Sequence, residues 1–495
     1  MAKCIMVQGT MSGAGKSLLV TALCRIFRQD GLRVAPFKSQ NMALNSYITR
    51  DGLEMGRAQV AQAEAAGLEP DVRMNPILLK PTSDTGSQLI VHGEVRGTYR
   101  AADYFAMKPA LIPQVLADYR SLAAEQDVVV IEGAGSPAEI NLRADDIVNM
   151  GLAARVDAPV LLVGDVDRGG VFAQLYGTVA LLAPEERARV VGTVINKFRG
   201  DPSLLEPGVR QLEQLTGVPN LGVIPYAPVE IDDEDSLAPA LGRTRAERLL
   251  DVAVVRLPRI SNFTDFPPLE AHPALGVRYV DAPAALGRPD LVVLPGTKNT
   301  MADLLWMRQS GLEAAVQKLA AGGTPVLGIC GGYQMLGETL RDPEGVEFGG
   351  ELRGMGLLPV HTEFSPQKAR TRRTAVACAP FAGAALEGYE IHMGRTWREE
   401  GTAPFCLLEG GTPDGAVRGA VFGTYLHGLF DTGALTGRLA EYLAARRGLT
   451  LGEAPVEGRA AFKERQYDLL ADTVRAHLDL DAVYRAMEEF SHGAD

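Results

Sequence analysis

The chain has 495 residues, more than a single hydrophobic core organises, so two or three domains are expected. Its 61 acidic against 49 basic residues give a net charge of −12, which argues against a broad nucleic-acid-binding surface and leaves room for a local basic pocket. No apolar run approaches the roughly 20 residues that span a bilayer, so neither nucleic acid nor a membrane is expected as a partner, and the expected location is cytoplasmic.

In chain order, Cys4 to Gln8 reads as a buried strand, QGTMSGAGKS as a loop, and Ser17 to Phe27 as a helix. The loop is one residue longer than the strict phosphate-binding pattern, with Thr10 where glycine is required and Gly9 one step further out. Its chemistry survives that irregularity. Backbone N–H groups around Gly13 and Gly15 and at the helix start would surround an anion, Lys16 would reach the outer phosphates, and the Ser17 hydroxyl would face Mg²⁺. The nucleotide-binding candidates here are Gly9, Thr10, Gly13, Gly15, Lys16 and Ser17.

The runs RVAPF, DVVVIEG, APVLLVGDV and VVGTVINKF then recur at crossover spacing up to about residue 225. That pattern predicts an α/β fold, a doubly wound parallel sheet whose ligand sites gather at the carboxyl ends of its strands. Glu132, Asp165, Asn196 and Lys197 follow those runs directly. A carboxylate ending a strand beside a phosphate loop suits a second Mg²⁺ contact, which points to Glu132, although such a residue also caps turns. Asn196 suits either an adenine edge or a routine turn.

GTMSGAGKS, with its extra residue, resembles the phosphate loop of the dethiobiotin synthetase family, and EGAGS at 132–136 is similar to that family's Mg²⁺-binding strand end. The resemblance implies ATP and Mg²⁺, with the γ-phosphate going onto a substrate carboxylate. It also implies an acidic metal ligand at the start of a helix with glutamine five residues on, which maps to Glu54 and Gln59; a solvated glutamate in a first helical turn is the competing reading.

Residues 226–250 mix an acidic cluster with prolines and mark a boundary. The expected domains are 1–235 for ATP-dependent ligation, 236–250 as linker, 251–445 as a second α/β domain and 446–495 as a C-terminal helical segment. In the second domain, PVLGICGGYQMLG places Cys330 at a sharp turn between a strand and a helix-like QMLGETL, as in a nucleophile elbow. A helix N-terminus favours a thiolate, and backbone N–H groups such as that of Gly331 would stabilise an oxyanion. The five cysteines form no Cys-x-x-Cys pair, which leaves catalysis open to Cys330. His427, after another apolar run, is the candidate base.

This region resembles the class I glutamine amidotransferases, whose G-x-C-x-G elbow is matched by Gly328, Cys330 and Gly332. The resemblance implies glutamine as ammonia donor and assigns a further oxyanion N–H to Gly296 in LPGTKNT. It departs at Leu429, where the usual pattern has the glutamate that orients the histidine. Nothing in the spacing shows Glu390 or His392 substituting for it.

Together the two halves resemble the cobyric acid synthase group, with KSQNM and MNPILLKP as the segments that separate it from the sister a,c-diamide synthases. The resemblance implies adenosylcobyrinic acid a,c-diamide as a corrinoid substrate, amidated at its b, d, e and g carboxylates. Arg57, Lys80 and Arg168 are either contacts for that anion or solvated charges. The alternatives are an a,c-diamide synthase, another amidoligase, or a non-enzymatic P-loop switch. Oligomeric state is not legible.

Overall fold

The computed structural model describes residues 2–81, 86–143, 145–231, 248–452 and 458–491. They fall into two compact units, each discontinuous in sequence: Met1–Met42, Met55–Asp232 and Lys463–Asp495 in the first, Ala43–Glu54 and Asp233–Phe462 in the second. The linker expected at 236–250 lies outside the described residues except for 248–250.

The first unit is built on six strands: β1 (Lys3–Gly9), β2 (Val34–Phe37), β3 (Val128–Glu132), β4 (Val160–Asp165), β5 (Val190–Phe198) and β6 (Asn220–Pro225). They pair in the order β6-β5-β4-β1-β3-β2, every pairing parallel. Strands such as VVVIE and VLLVGD are apolar almost throughout because helices cover both faces of the sheet. Register does the functional work: Val7 lies opposite Glu132, Gly9 opposite Val163, and Asp165 opposite Asn196, so these residues reach one carboxyl edge.

Two features of this unit escape the periodicity of the sequence. Gln40–Met42, Ile77–Pro81, Gly86–Val91 and Glu94–Arg100 form a second, four-stranded sheet. The amphipathic segment at 461–490 is two helices, Arg459–Arg475 and Leu480–Ser491, broken where Asp479 accepts from the Ala482 N–H at 2.9 Å. Tyr467, Val474, Val483 and Met487 from these helices join Ile5, Leu23, Phe27 and Val130 in one core.

The second unit repeats the plan with β7 (Leu250–Val255), β8 (Leu275–Val280), β9 (Leu291–Leu294), β10 (Val326–Ile329), β11 (Ala416–Arg418) and β12 (Val421–Thr424). Their order is β8-β7-β9-β10-β12-β11, parallel apart from the β11–β12 pair at the edge. Two smaller four-stranded sheets fill 339–414. Residues 43–54 also belong here: Ile48 is buried with Tyr389 and Ile391, and its carbonyl accepts from Arg372 Nε at 3.1 Å.

Candidate active sites

In the first unit the loop after β1 starts later than its sequence suggests. Thr10 still extends the ladder, its N–H donating to the Val163 carbonyl at 2.9 Å, while its hydroxyl donates to Gln174 Oε1 at 3.0 Å. That pairing accounts for the extra residue. The turn itself needs Gly15, whose φ of +98° ends the loop at the N-cap of helix Lys16–Gln29. The Lys16 side chain folds back across the loop, and Nζ donates to the carbonyls of Met11 and Gly135, both at 3.1 Å. A side chain at position 9 would crowd that lysine, since a Cβ there would lie 3.1 Å from Nζ.

Glu132 is buried at the end of β3 and gathers three donors. Ser17 Oγ and Lys38 Nζ each donate to Oε1 at 2.8 Å, and Gln62 Nε2 donates to Oε2. Burial works against its charge, but Lys38, through charge and hydrogen bond, with Gln62 and Ser17, brings the carboxyl below its ordinary range. Among the described residues no three His, Cys, Asp or Glu side chains cluster as a metal cage. The Ser17 hydroxyl beside the Glu132 carboxylate nevertheless offers two hard oxygens, the donor set that suits Mg²⁺ completed by phosphate and water.

One sequence expectation changes at this point. Glu54 does not start a helix: it opens the strand Glu54–Gly56, the helix begins at Arg57, and its carboxylate pairs with Lys368 Nζ at 2.5 Å within the second unit. Gln59, its expected companion, accepts from Asn41 Nδ2 at 2.8 Å. Asn196 braces the phosphate loop, its Nδ2 donating to the Ala14 carbonyl at 3.1 Å. Lys197 supports the same loop through the Gly13 carbonyl at 2.6 Å and Asp165 Oδ2 at 2.8 Å. Of the basic residues considered for the substrate, Arg57 and Lys80 are buried and Arg168 is exposed.

In the second unit Cys330 sits between β10 and the short helix Gly331–Met335 with φ +52° and ψ −107°, a conformation that costs a non-glycine residue about 1–3 kcal/mol. The surroundings hold it there: its N–H donates to the Thr424 carbonyl at 2.8 Å, and its sulfur lies 3.6 Å from the Ile391 carbonyl. Gly332 is required by close approach, because a Cβ would come 2.0 Å from the Leu294 carbonyl oxygen. The helix-like run expected after Cys330 stops early, and Thr339–Asp342 is a strand.

His427 follows β12 and is fully buried. Its Nδ1 pairs with Asp265 Oδ2 at 2.7 Å, and Asp265 Oδ1 accepts from the Gly428 N–H at 2.7 Å. Asp265 therefore fixes both the ring and the backbone that carries it. Among the described residues Nε2 has no hydrogen-bond partner, and Gly296 packs on that side of the ring, where a Cβ would lie 2.8 Å from Cε1. Burial opposes a charge on the imidazole, yet the Asp265 carboxylate and then the Cys330 sulfur push it up to about 10. Glu390 instead accepts from Arg373 at 2.8 Å. His392 stacks on Tyr425 with ring centroids 3.6 Å apart, and burial pushes it down to about 4.

These two arrangements match known domains in chain order. Residues 5–237 match the CobQ/CobB/MinD/ParA nucleotide binding domain and residues 251–435 the CobB/CobQ-like glutamine amidotransferase domain. The chain is 55% identical to the cobyric acid synthase of Ruminiclostridium cellulolyticum over 99% of its own length and 98% of the relative's. It is 54% identical to the cobyric acid synthases of Lachnoclostridium phytofermentans, over 99% and 100%, and of Klebsiella pneumoniae, over 98% and 98%. The chain belongs to the cobyric acid synthase family.

Against that family background, three residues stand in the sites that periodicity did not single out. Lys38 follows β2 directly, at the same carboxyl edge as Glu132, and a lysine at a strand end beside an acidic one was the available signal. Gln62 lies inside an alanine-rich helix and carries no local mark. Asp265 comes from the loop after β7, and only the sheet order, which sets that loop at the same edge as Cys330, makes it a partner for His427.

Proposed function

We propose that this protein uses ATP and glutamine to amidate the b, d, e and g carboxylates of adenosylcobyrinic acid a,c-diamide, giving adenosylcobyric acid in cobalamin biosynthesis, in the cytoplasm. The observation that carries this reading is the presence, in a member of the cobyric acid synthase family matched over 99% of the chain, of both a phosphate loop and a Cys330–His427–Asp265 constellation.

In the first unit, a corrinoid carboxylate oxygen attacks the γ-phosphorus of ATP and ADP leaves, forming an acyl phosphate. Lys16 exchanges its loop carbonyls for phosphate oxygens, and Lys38 stands beside Glu132 to offset charge on the transferring group. Ser17 and Glu132 would hold Mg²⁺, which supplies neutralising charge to the phosphates. Asn196 and Lys197 keep the loop in shape.

In the second unit, the Cys330 sulfur attacks the glutamine amide carbon, and the N–H groups of Gly331 and Gly296 face the resulting oxyanion. His427, kept protonated by Asp265 and carrying the proton of the Cys330 thiol, gives it to the departing ammonia, while Asp265 keeps Nε2 aimed at the reaction. Water then cleaves the thioester to glutamate. Ammonia attacks the acyl phosphate carbon and phosphate leaves, closing the balance at one ATP and one glutamine per amide.

Glutamine labelled with ¹⁵N at its amide tests the reading. Four labelled amides per corrinoid, each matched by one ADP and one glutamate, are expected. A P-loop switch would instead hydrolyse ATP with no label transferred, and an a,c-diamide synthase would label cobyrinic acid at two positions and leave the a,c-diamide untouched.

A further inference from the structure

Lys108 lies inside the helix Ala101–Glu125 and takes no part in the chemistry above. It is 5% exposed, yet among the described residues its ammonium has no hydrogen bond and no ion pair. Its cationic end lies 5.3 Å from the centroid of the Phe105 ring, a contact that offsets little of the cost of burying a charge. Burial pulls the lysine below its ordinary range, against the opposing pull of Asp146 and Asp145. Asp146 is engaged elsewhere, its carboxylate accepting from the N–H groups of Val148 at 2.8 Å, Asn149 at 3.0 Å and Gly151 at 2.9 Å. Packing does not account for Lys108, because an apolar side chain of the same length would fill the space without that cost.

The surroundings favour a particular kind of ligand. One turn before Lys108, on the same buried face, the Tyr104 hydroxyl donates to Gln40 Oε1 at 2.5 Å, which ties the start of the helix to the strand Gln40–Met42. Gln40 and Met42, two apart on that strand, share one face of it. Met42 and Phe105 are left 58% and 43% exposed, so apolar surface flanks the cation. A large ligand, apolar in body and anionic at its margin, suits that combination. The neighbouring loop also leads to the phosphoryl-transfer site. Ile147, next to Asp146, accepts through its carbonyl from Ser39 Oγ at 2.5 Å, and Ser39 follows Lys38, which is bonded to Glu132.

We propose that Lys108 binds a carboxylate of the corrinoid that is waiting to be amidated while another takes the γ-phosphate, with the ring lying over Met42 and Phe105. This rests on the corrinoid reading above. The a,c-diamide carries three waiting carboxylates besides the one that reacts, and the last intermediate, already amidated three times, carries none. Lys108 therefore strengthens the binding of the early substrates and not of the last.

The test compares these two corrinoids as substrates of the wild type, Lys108→Met and Lys108→Arg, with ATP and ammonium chloride so that glutamine use does not enter. Lys108→Met should raise KM for the a,c-diamide about tenfold more than KM for the last intermediate, as loss of a charge-assisted hydrogen bond would, and Lys108→Arg should restore part of the difference. Without ligand, Lys108→Met should unfold at a higher denaturant concentration than the wild type, because it removes an unpaired buried charge. Equal changes in KM for both corrinoids would overturn the proposal. So would a variant that unfolds earlier or does not fold, since the lysine would then support the structure. A wild type that amidates neither corrinoid would remove the underlying reading, whatever the Lys108 variants do.

Discussion

At the carboxyl edge of the first sheet Glu132, Lys16 and Lys197 all have partners, whereas at the same edge of the second sheet His427 Nε2, buried, has none among the described residues. The first site is a closed set of polar contacts that a nucleotide must rearrange. The second is already assembled, with a strained cysteine, an oriented imidazole and one nitrogen left for the reaction. The contrast follows from the chemistry. Phosphate brings its own negative charge and metal, so lysines can rest on carbonyls until it arrives. An uncharged amide brings nothing, so the protein must hold the charges ready beforehand.

The comparison breaks most visibly at the buried ion pairs. Glu132→Gln leaves Lys38 without its counter-charge in a buried site, and a loss of about 3–5 kcal/mol in denaturant unfolding of the first unit is expected, with ATP-dependent turnover abolished. Lys368→Met should cost a similar roughly 3–5 kcal/mol by stranding Glu54. The affinity for Mg²⁺-ATP should survive the second change, and its loss would return Glu54 to the metal set.

Asp265→Asn sharpens the contrast from the other side. Glutaminase activity should fall about 10²-fold, less than in a serine triad because a thiol is easier to activate, while ammonium-driven amidation continues. The pH dependence carries the same information. His427 is held at about 10 against an ordinary 6.5, so the stabilisation from its protonated form is complete below pH 6.5 and is lost as pH rises through about 10. The alkaline limb of the glutaminase profile should move to lower pH in Asp265→Asn, and an unmoved limb would detach Asp265 from the ring. Asn196→Ala is the mildest change: with one brace of the phosphate loop gone, KM for ATP should rise by a factor of about 5 and kcat should hold.

What was legible in the sequence divides along physical lines. The two parallel sheets were, because strands buried on both faces are written as continuous apolar runs. Glycine-dependent turns were as well: Gly15 and Gly332 mark backbone geometry that few other residues accept. Partners supplied by sheet order were not. Asp265 meets His427 across 162 positions, and Gln62 meets Glu132 from the middle of a helix, so neither carries a local signature. Glu54 is the opposite case: its spacing to Gln59 fitted the family pattern, but it opens a strand where a helix start was expected, and its carboxylate pairs with Lys368.

The central claim is that one chain makes ammonia at one edge and consumes it at another, and Cys330→Ala tests it most directly. ADP and glutamate are measured after adding adenosylcobyrinic acid a,c-diamide, first with glutamine and then with ammonium chloride. The account predicts glutamine-driven amidation reduced by about 10³-fold or more, with ammonium-driven amidation at the wild-type rate. Undiminished use of glutamine by the variant, or failure of ammonium to sustain amidation, would contradict it.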